Sequence, residues 1–253
     1  MPGAGANFTG FGTRSPFHHS STFRPFGPPP DAAKAAPLSS DVRYIMSDSD
    51  DYVASVEEAV SSLQRDLGIE GRFLEKLIDE DDWSFVIKSH AFIEAALSHL
   101  ISDSISEPTL DSIFANLETS NQKSGKLAFI KKLNLLDKDA RGFIRALSEL
   151  RNSLVHDVSQ VSFSFEAHVL SLDSQQKKSF VKFFAYFANG ASFQISEQTF
   201  ETELFVTANP KRSAWFCVMA LSAVIYLAKE RVMLEKMIRS FESDVANSTR
   251  KTT

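Results

Sequence analysis

Residues 149–157 read ELRNSLVHD and place Arg151, Asn152 and His156 within six positions, near the end of a helical pattern. These side chains can cut RNA without a metal. A neutral imidazole takes the proton of a ribose 2′-hydroxyl, and a guanidinium makes bidentate contact with the phosphate as its charge grows. Asn152 would hold the ring or the phosphate by hydrogen bonding. In-line attack also needs an acid for the leaving oxygen, and one chain offers a single histidine here. A two-fold homodimer with both polar faces across one groove would supply the second set. The same residues also have an ordinary reading, as the solvated side of a packed helix whose arginines pair with nearby carboxylates.

The helix that must carry them spans 137–158, with Asp137 as N-cap. At ~100° per residue, Phe143, Leu147, Leu150, Leu154 and Val158 fall within ~80° and form a buried stripe. Arg141, Arg145, Asn152 and His156 gather within ~60° on the other side, flanked by Ser148 and Glu149. Asn152 and His156 are an i,i+4 pair, whereas Arg151 lies ~140° from His156 and must curl its long stem outward. Just upstream, Lys123, Lys126, Lys131 and Lys132 form a small basic cluster. Lys126, Lys131, Arg141 and Arg145 are the expected phosphate contacts if RNA binds.

The rest of the chain reads as helices. From about Asp50, Val53, Val56, Val60, Leu63 and Leu67 repeat at helical spacing up to Gly68. A short segment over 72–79 precedes a helix from Asp81–Asp82, which is apolar round most of its circumference and so central to a bundle. Pro108 opens a brief helix to Leu117, and 126–136 is another. The stretch VSFSFEAHV, residues 161–169, alternates in period two and predicts a short extended piece. Residues 174–189 read as helix, 191–207 as an ambiguous stretch able to form a small hairpin, and Asn209-Pro210 as the turn before the last helix. His90 and His99 read as core or interface histidines, His168 is ambiguous, and Trp83 and Trp215 read as core. The DEDDW run at 79–83 suits helix capping better than a cation loop.

Composition narrows the classes. The 253 residues are 43% apolar with ten glycines, enough for one sizeable core. The expected organisation is a single helical domain over 50–245 behind a tail. Residues 1–45, rich in Phe, Pro and Gly and including His18 and His19, read as that disordered tail, and Phe8, Phe11, Phe17, Phe23 and Phe26 could serve in docking. Net charge −5 excludes non-specific nucleic-acid binding by the whole surface. One cysteine, Cys217, allows no intrachain disulfide, no Cys/His cluster has metal-ligand spacing, and no phosphate loop or other cofactor motif is present. The apolar run at 214–228 is about five residues short of the ~20 needed to cross a bilayer, so no membrane is expected. A reducing, cytoplasmic setting fits.

The motif resembles the R-x4-6-H signature of the HEPN superfamily, and RNSLVHD is similar to the RN-x-x-x-H segment of proteins related to the mannitol operon repressor. The pieces DDWSFVIKSHAFIEAALSHLI and GKLAFIKKLNLL resemble those families' preceding helix and connecting stretch, in the same order, so the likeness covers about 72–157. It implies an all-α, up-down helical bundle, frequently dimeric. It also implies metal-independent endoribonuclease activity in toxin, defence or RNA-processing systems, carried here by Arg151, Asn152 and His156. Glu94 stands where many members carry an acid. Val158 stands where a tyrosine marks the members silenced by nucleotidylation. The repressor-like relatives imply the rival function, a non-catalytic regulator that uses the bundle to dimerise and hold a protein partner.

Overall fold

The computed structural model describes residues 50–69, 71–121, 123–156, 158–195 and 198–251. The tail expected over 1–45, with its phenylalanines and His18–His19, lies outside the described residues, as does Asp157. Among the described residues the fold is all-α with one two-stranded hairpin.

Helix α1, Asp50–Asp66, buries Ala59, Val60 and Leu63. The short α2, Phe73–Lys76, runs through a 3-10 turn, Leu77–Asp79, to α3, Asp82–Ile105. Asp81 caps α3 by accepting from the Ser84 amide at 2.8 Å. Ser106 ends it at φ 61°, a left-handed turn. The apolar circumference of α3 has its predicted consequence. Phe85, Val86, Ile93, Ala96, Leu97, Leu100 and Ile101 are all buried, and α4 (Asp111–Asn116), α5 (Lys126–Lys132) and α6 (Lys138–Val155) pack on it.

Contact pairs fix the directions. Trp83 Nε1 donates to Leu154 O at 3.4 Å and His90 meets Ser148 at 3.1 Å, so α6 runs antiparallel to α3. The final helix α10, Pro210–Lys251, pairs Lys211 with Asp82 at one end and Lys229 with Asp103 at the other, so it runs parallel to α3. Trp215 Nε1 donates to Leu74 O at 2.8 Å, fastening α10 to α2.

Between α6 and α10 come α7 (Phe165–Ser171), α8 (Ser174–Phe184), the hairpin β1 (Ser192–Ile195) with β2 (Gln198–Glu201), and α9 (Thr202–Ala208). Of the segment 191–207, only the first part forms a hairpin, antiparallel with Phe193 opposite Phe200, while 202–207 belong to α9. Both rings lean on Phe205, which also meets Phe187 and Phe216, so an aromatic cluster holds the hairpin to α9 and α10. The extended piece predicted over 161–169 is not there. A 3-10 turn, Val158–Ser162, leads into α7 instead. Phe165 and Val169 are buried at i,i+4, Ser164 caps the helix, and Asp82 Oδ2 accepts from the Phe165 amide at 2.8 Å. The period-two pattern fits a turn followed by a helix start equally well. Helix α5 ends at Lys132, short of 136, because Asn134 takes φ +52°.

Candidate functional site

Helix α6 starts where Asp137 accepts from the Ala140 amide at 2.7 Å. The predicted stripe is buried at Phe143, Leu147, Leu150 and Leu154. A second row, Ala140, Ile144 and Ser148, is buried as well and faces α3, so α6 is covered on two sides. Ser148 therefore does not join the polar side that the helical rotation predicts for it. Its hydroxyl donates to Ile144 O at 2.8 Å and meets His90 Nε2 at 3.1 Å inside the bundle.

Arg151 continues this second row and is half-buried, near enough to His90 for its charge to be felt there. Its Nη1 donates to Asn152 Oδ1 at 3.1 Å. Asn152 is half-buried, and His156 is the C-cap of α6 and exposed. The structure thus displays the imidazole to solvent and ties Arg151 to Asn152, while no hydrogen bond among the described residues joins Arg151 to His156.

The expected phosphate contacts divide. Lys131 is exposed, and Arg145 is partly exposed and pairs with Glu149 at 3.9 Å. Arg141 donates to Leu136 O, anchoring the preceding loop. Lys126 is placed differently from the expectation. Its side chain is 0% exposed, and Nζ donates inward to Glu94 Oε1 (3.1 Å), Ala115 O (3.1 Å) and Leu117 O (2.8 Å). Lys126 shares a helix face with buried Ile130, four residues on, a signal legible in the sequence but outweighed by the neighbouring lysines.

Glu94 belongs to this network rather than to Arg151. Thr119 Oγ1 donates to Glu94 Oε1 at 2.7 Å, and His90 Nδ1 lies 3.9 Å from Oε2. Burial works against the Glu94 carboxylate, but hydrogen bonds from Thr119 and Lys126 and the Lys126 charge leave its pKa below the usual value. Burial lowers the His90 pKa, and the Arg151 and Lys126 charges add to this against the opposing pull of Glu94. Ser148, His90 and Glu94 have the composition of a hydrolytic triad, but Ser148 is 1% exposed and its proton is committed to Ile144 O, so it offers no nucleophile to a substrate. His168 is half-buried with its pKa lowered by burial, and His99 is exposed.

A cleft of about 430 Å³ opens at the same end of the bundle as His156, lined by Asp82, Ser164, Glu166, Asn209, Lys211 and Arg212 among others. It does not include Arg151, Asn152 or His156, and Lys211 is held by Asp82 at 3.2 Å and by Glu80 O. Among the described residues no group of three or more His, Cys, Asp or Glu could hold a metal ion, and no helix is long and apolar enough to cross a membrane. Compared with protein-family models, with curated proteins and with solved structures, the chain finds no match.

Proposed function

We propose that the chain is an HEPN-like endoribonuclease of the cytoplasm that cleaves RNA without a metal, through Arg151, Asn152 and His156. The observation that carries this reading is an imidazole exposed at the end of α6, five positions beyond an arginine already tied to Asn152. His156 accepts the proton of a ribose 2′-hydroxyl, and the 2′-oxygen attacks the adjacent phosphorus in line. The bond from phosphorus to the 5′-oxygen breaks, leaving a 2′,3′-cyclic phosphate and a 5′-hydroxyl. The leaving oxygen takes its proton from the second histidine of a homodimer. Arg151 stabilises the charge that builds on the phosphoryl oxygens, and Lys131 and Arg145 hold flanking phosphates.

The test incubates the full chain with mixed RNA in EDTA beside His156→Ala and Arg151→Ala. His156 is exposed, so its removal leaves the fold intact, and circular dichroism verifies this. Cleavage is expected to fall by about 10²–10⁴-fold in His156→Ala. Equal cleavage by parent and variant removes His156 from the mechanism.

A second reading, a non-catalytic regulator or interaction protein, is favoured by a different observation. Helix α10 exposes Met233, Leu234, Met237, Ile238 and Phe241, a surface suited to holding protein rather than RNA. Protein free of RNase activity in the same assay supports it.

A further inference from the structure

Helix α10 is 42 residues long, roughly 63 Å, and its two halves turn their apolar sides in opposite directions. Through Val232 the apolar arc faces the bundle. Cys217, Val218, Leu221, Val224, Ile225, Ala228 and Val232 are buried within about 120° of one another. Beyond Val232 the same arc carries Glu235, Lys236, Arg239 and Glu242. The opposite arc becomes the apolar one, with Met233 50%, Leu234 51%, Met237 68%, Ile238 40% and Phe241 69% exposed, all within about 140°. This arc continues back along α10 through Met219, Ala220, Tyr226 and Leu227, which pack against the core and stay half-exposed, with Ala223 buried among them and exposed Glu230 interrupting the row. A helix end merely trailing into water would carry polar residues on this side.

We infer that this face binds a second copy of the chain, with the two α10 helices antiparallel so that residues 233–241 of each cover residues 219–227 of the other. Two observations favour a second copy. The five exposed side chains present on the order of 500 Å² per copy, so a pair buries about 1,000 Å² before the receiving face is counted, within the range of a specific interface. The two segments also match in shape. The large Phe241 comes opposite the small, half-buried Ala220, whereas an in-register parallel pair sets large against large and small against small. The antiparallel register brings the two Glu230 carboxylates together at the axis, so Glu230→Gln tightens the pair.

This surface is separate from the candidate site. Arg231 Nη2 donates to Asn134 O at 3.1 Å, just ahead of α6, so residues 233–251 leave the bundle at the end of α6 away from His156. The 18 residues of α6, about 27 Å, separate the two. The inference therefore stands whether or not Arg151 and His156 cleave RNA, and a chain that uses both surfaces assembles beyond a dimer.

Light scattering of the full chain at micromolar concentration is expected to show an oligomer, and Met237→Glu/Phe241→Glu should halve its mass without changing the circular dichroism. Cys217 is buried, so introduced cysteines report cleanly. Ala220→Cys/Phe241→Cys should form a disulfide-linked dimer under mild oxidation, since 21 residues along one helix hold the two sulfurs about 32 Å apart within a chain. Neither single variant should do so. A monomeric parent, a mass unchanged by the double glutamate, or efficient cross-linking of Phe241→Cys alone would overturn the inference. His156→Ala is expected to leave the mass of the assembly unchanged.

Discussion

Replacing Lys126 by methionine separates a structural lysine from an RNA contact. Methionine nearly matches the length of the side chain and lacks the ammonium, so it removes the ion pair to Glu94 and the donors to Ala115 O and Leu117 O at once. Deleting one partner of a buried pair costs about 3–5 kcal/mol. The Glu94 side chain keeps 34% exposure, so water screens the carboxylate left behind and the lower end of that range applies. The two carbonyls each lose a bond worth about 1 kcal/mol, and methionine's apolar stem offsets part of this. The expected loss is about 3–4 kcal/mol, which for a chain of this size lowers Tm by roughly 6–15 °C. Urea melts of Lys126→Met, Glu94→Gln and the double variant give the coupling, expected within about 1–3 kcal/mol because Glu94→Gln removes the charge that Lys126→Met alone leaves unpaired. If Lys126→Met melts within about 0.5 kcal/mol of the parent, the inward placement of the ammonium is wrong. A loss of RNA affinity with Tm unchanged would return Lys126 to the surface role.

Stability is expected to hold above about pH 7 and to decline as pH falls through the His90 reference value of 6.5. Burial keeps the folded His90 and His168 below that value, so the unfolded chain takes up protons that the folded one refuses. Glu94, lowered in the fold, adds a second loss below its reference value of 4.5. His90→Gln should flatten part of the upper slope in urea melts at stepped pH, and an unaltered slope would place the titration elsewhere. Gly125→Ala puts a Cβ 2.3 Å from Glu118 O and 2.7 Å from Asn121 O, carbonyls that accept from the Lys126 and Gly125 amides. A cost of at least about 2 kcal/mol is expected, and a neutral thermal melt would show that the loop has room to shift.

The legible part of the fold was whatever repeats along one element. The N-cap at Asp137, the stripe from Phe143 to Leu154 and the central position of α3 all follow from local spacing, whereas 191–207 leaves hairpin and helix open and folds as one then the other. What spacing could not give was the partner on each side of a helix. One apolar stripe predicts one covered face, yet α6 is covered on two, because α3 lies along Ala140, Ile144 and Ser148 as well. That second neighbour turns Ser148 inward and half-buries Arg151. Lys126 failed for the same reason, since acceptors from Glu94, Ala115 and Leu117 converge on it only when three separate elements fold together. The segment at 161–169 failed differently. Its alternating apolar residues serve a turn and then a helix, and the choice rests on Asp82, 83 positions upstream, which accepts from the Phe165 amide.

The two-sided packing of α6 also bears on how Arg151 and His156 could act together. Arg151 leaves the helix on the side covered by α3, about 140° round from His156, so helical geometry alone points the two away from a common phosphate. Asn152 lies between them, about 40° from His156 and 100° from Arg151. By accepting from Arg151 Nη1 it draws the guanidinium off the α3 side and toward its own. In the proposed mechanism Asn152 is therefore the residue that lets arginine and histidine share one substrate. An Arg-x4-His spacing supplies the phosphate-binding group and the base, and the asparagine directly after the arginine supplies their convergence.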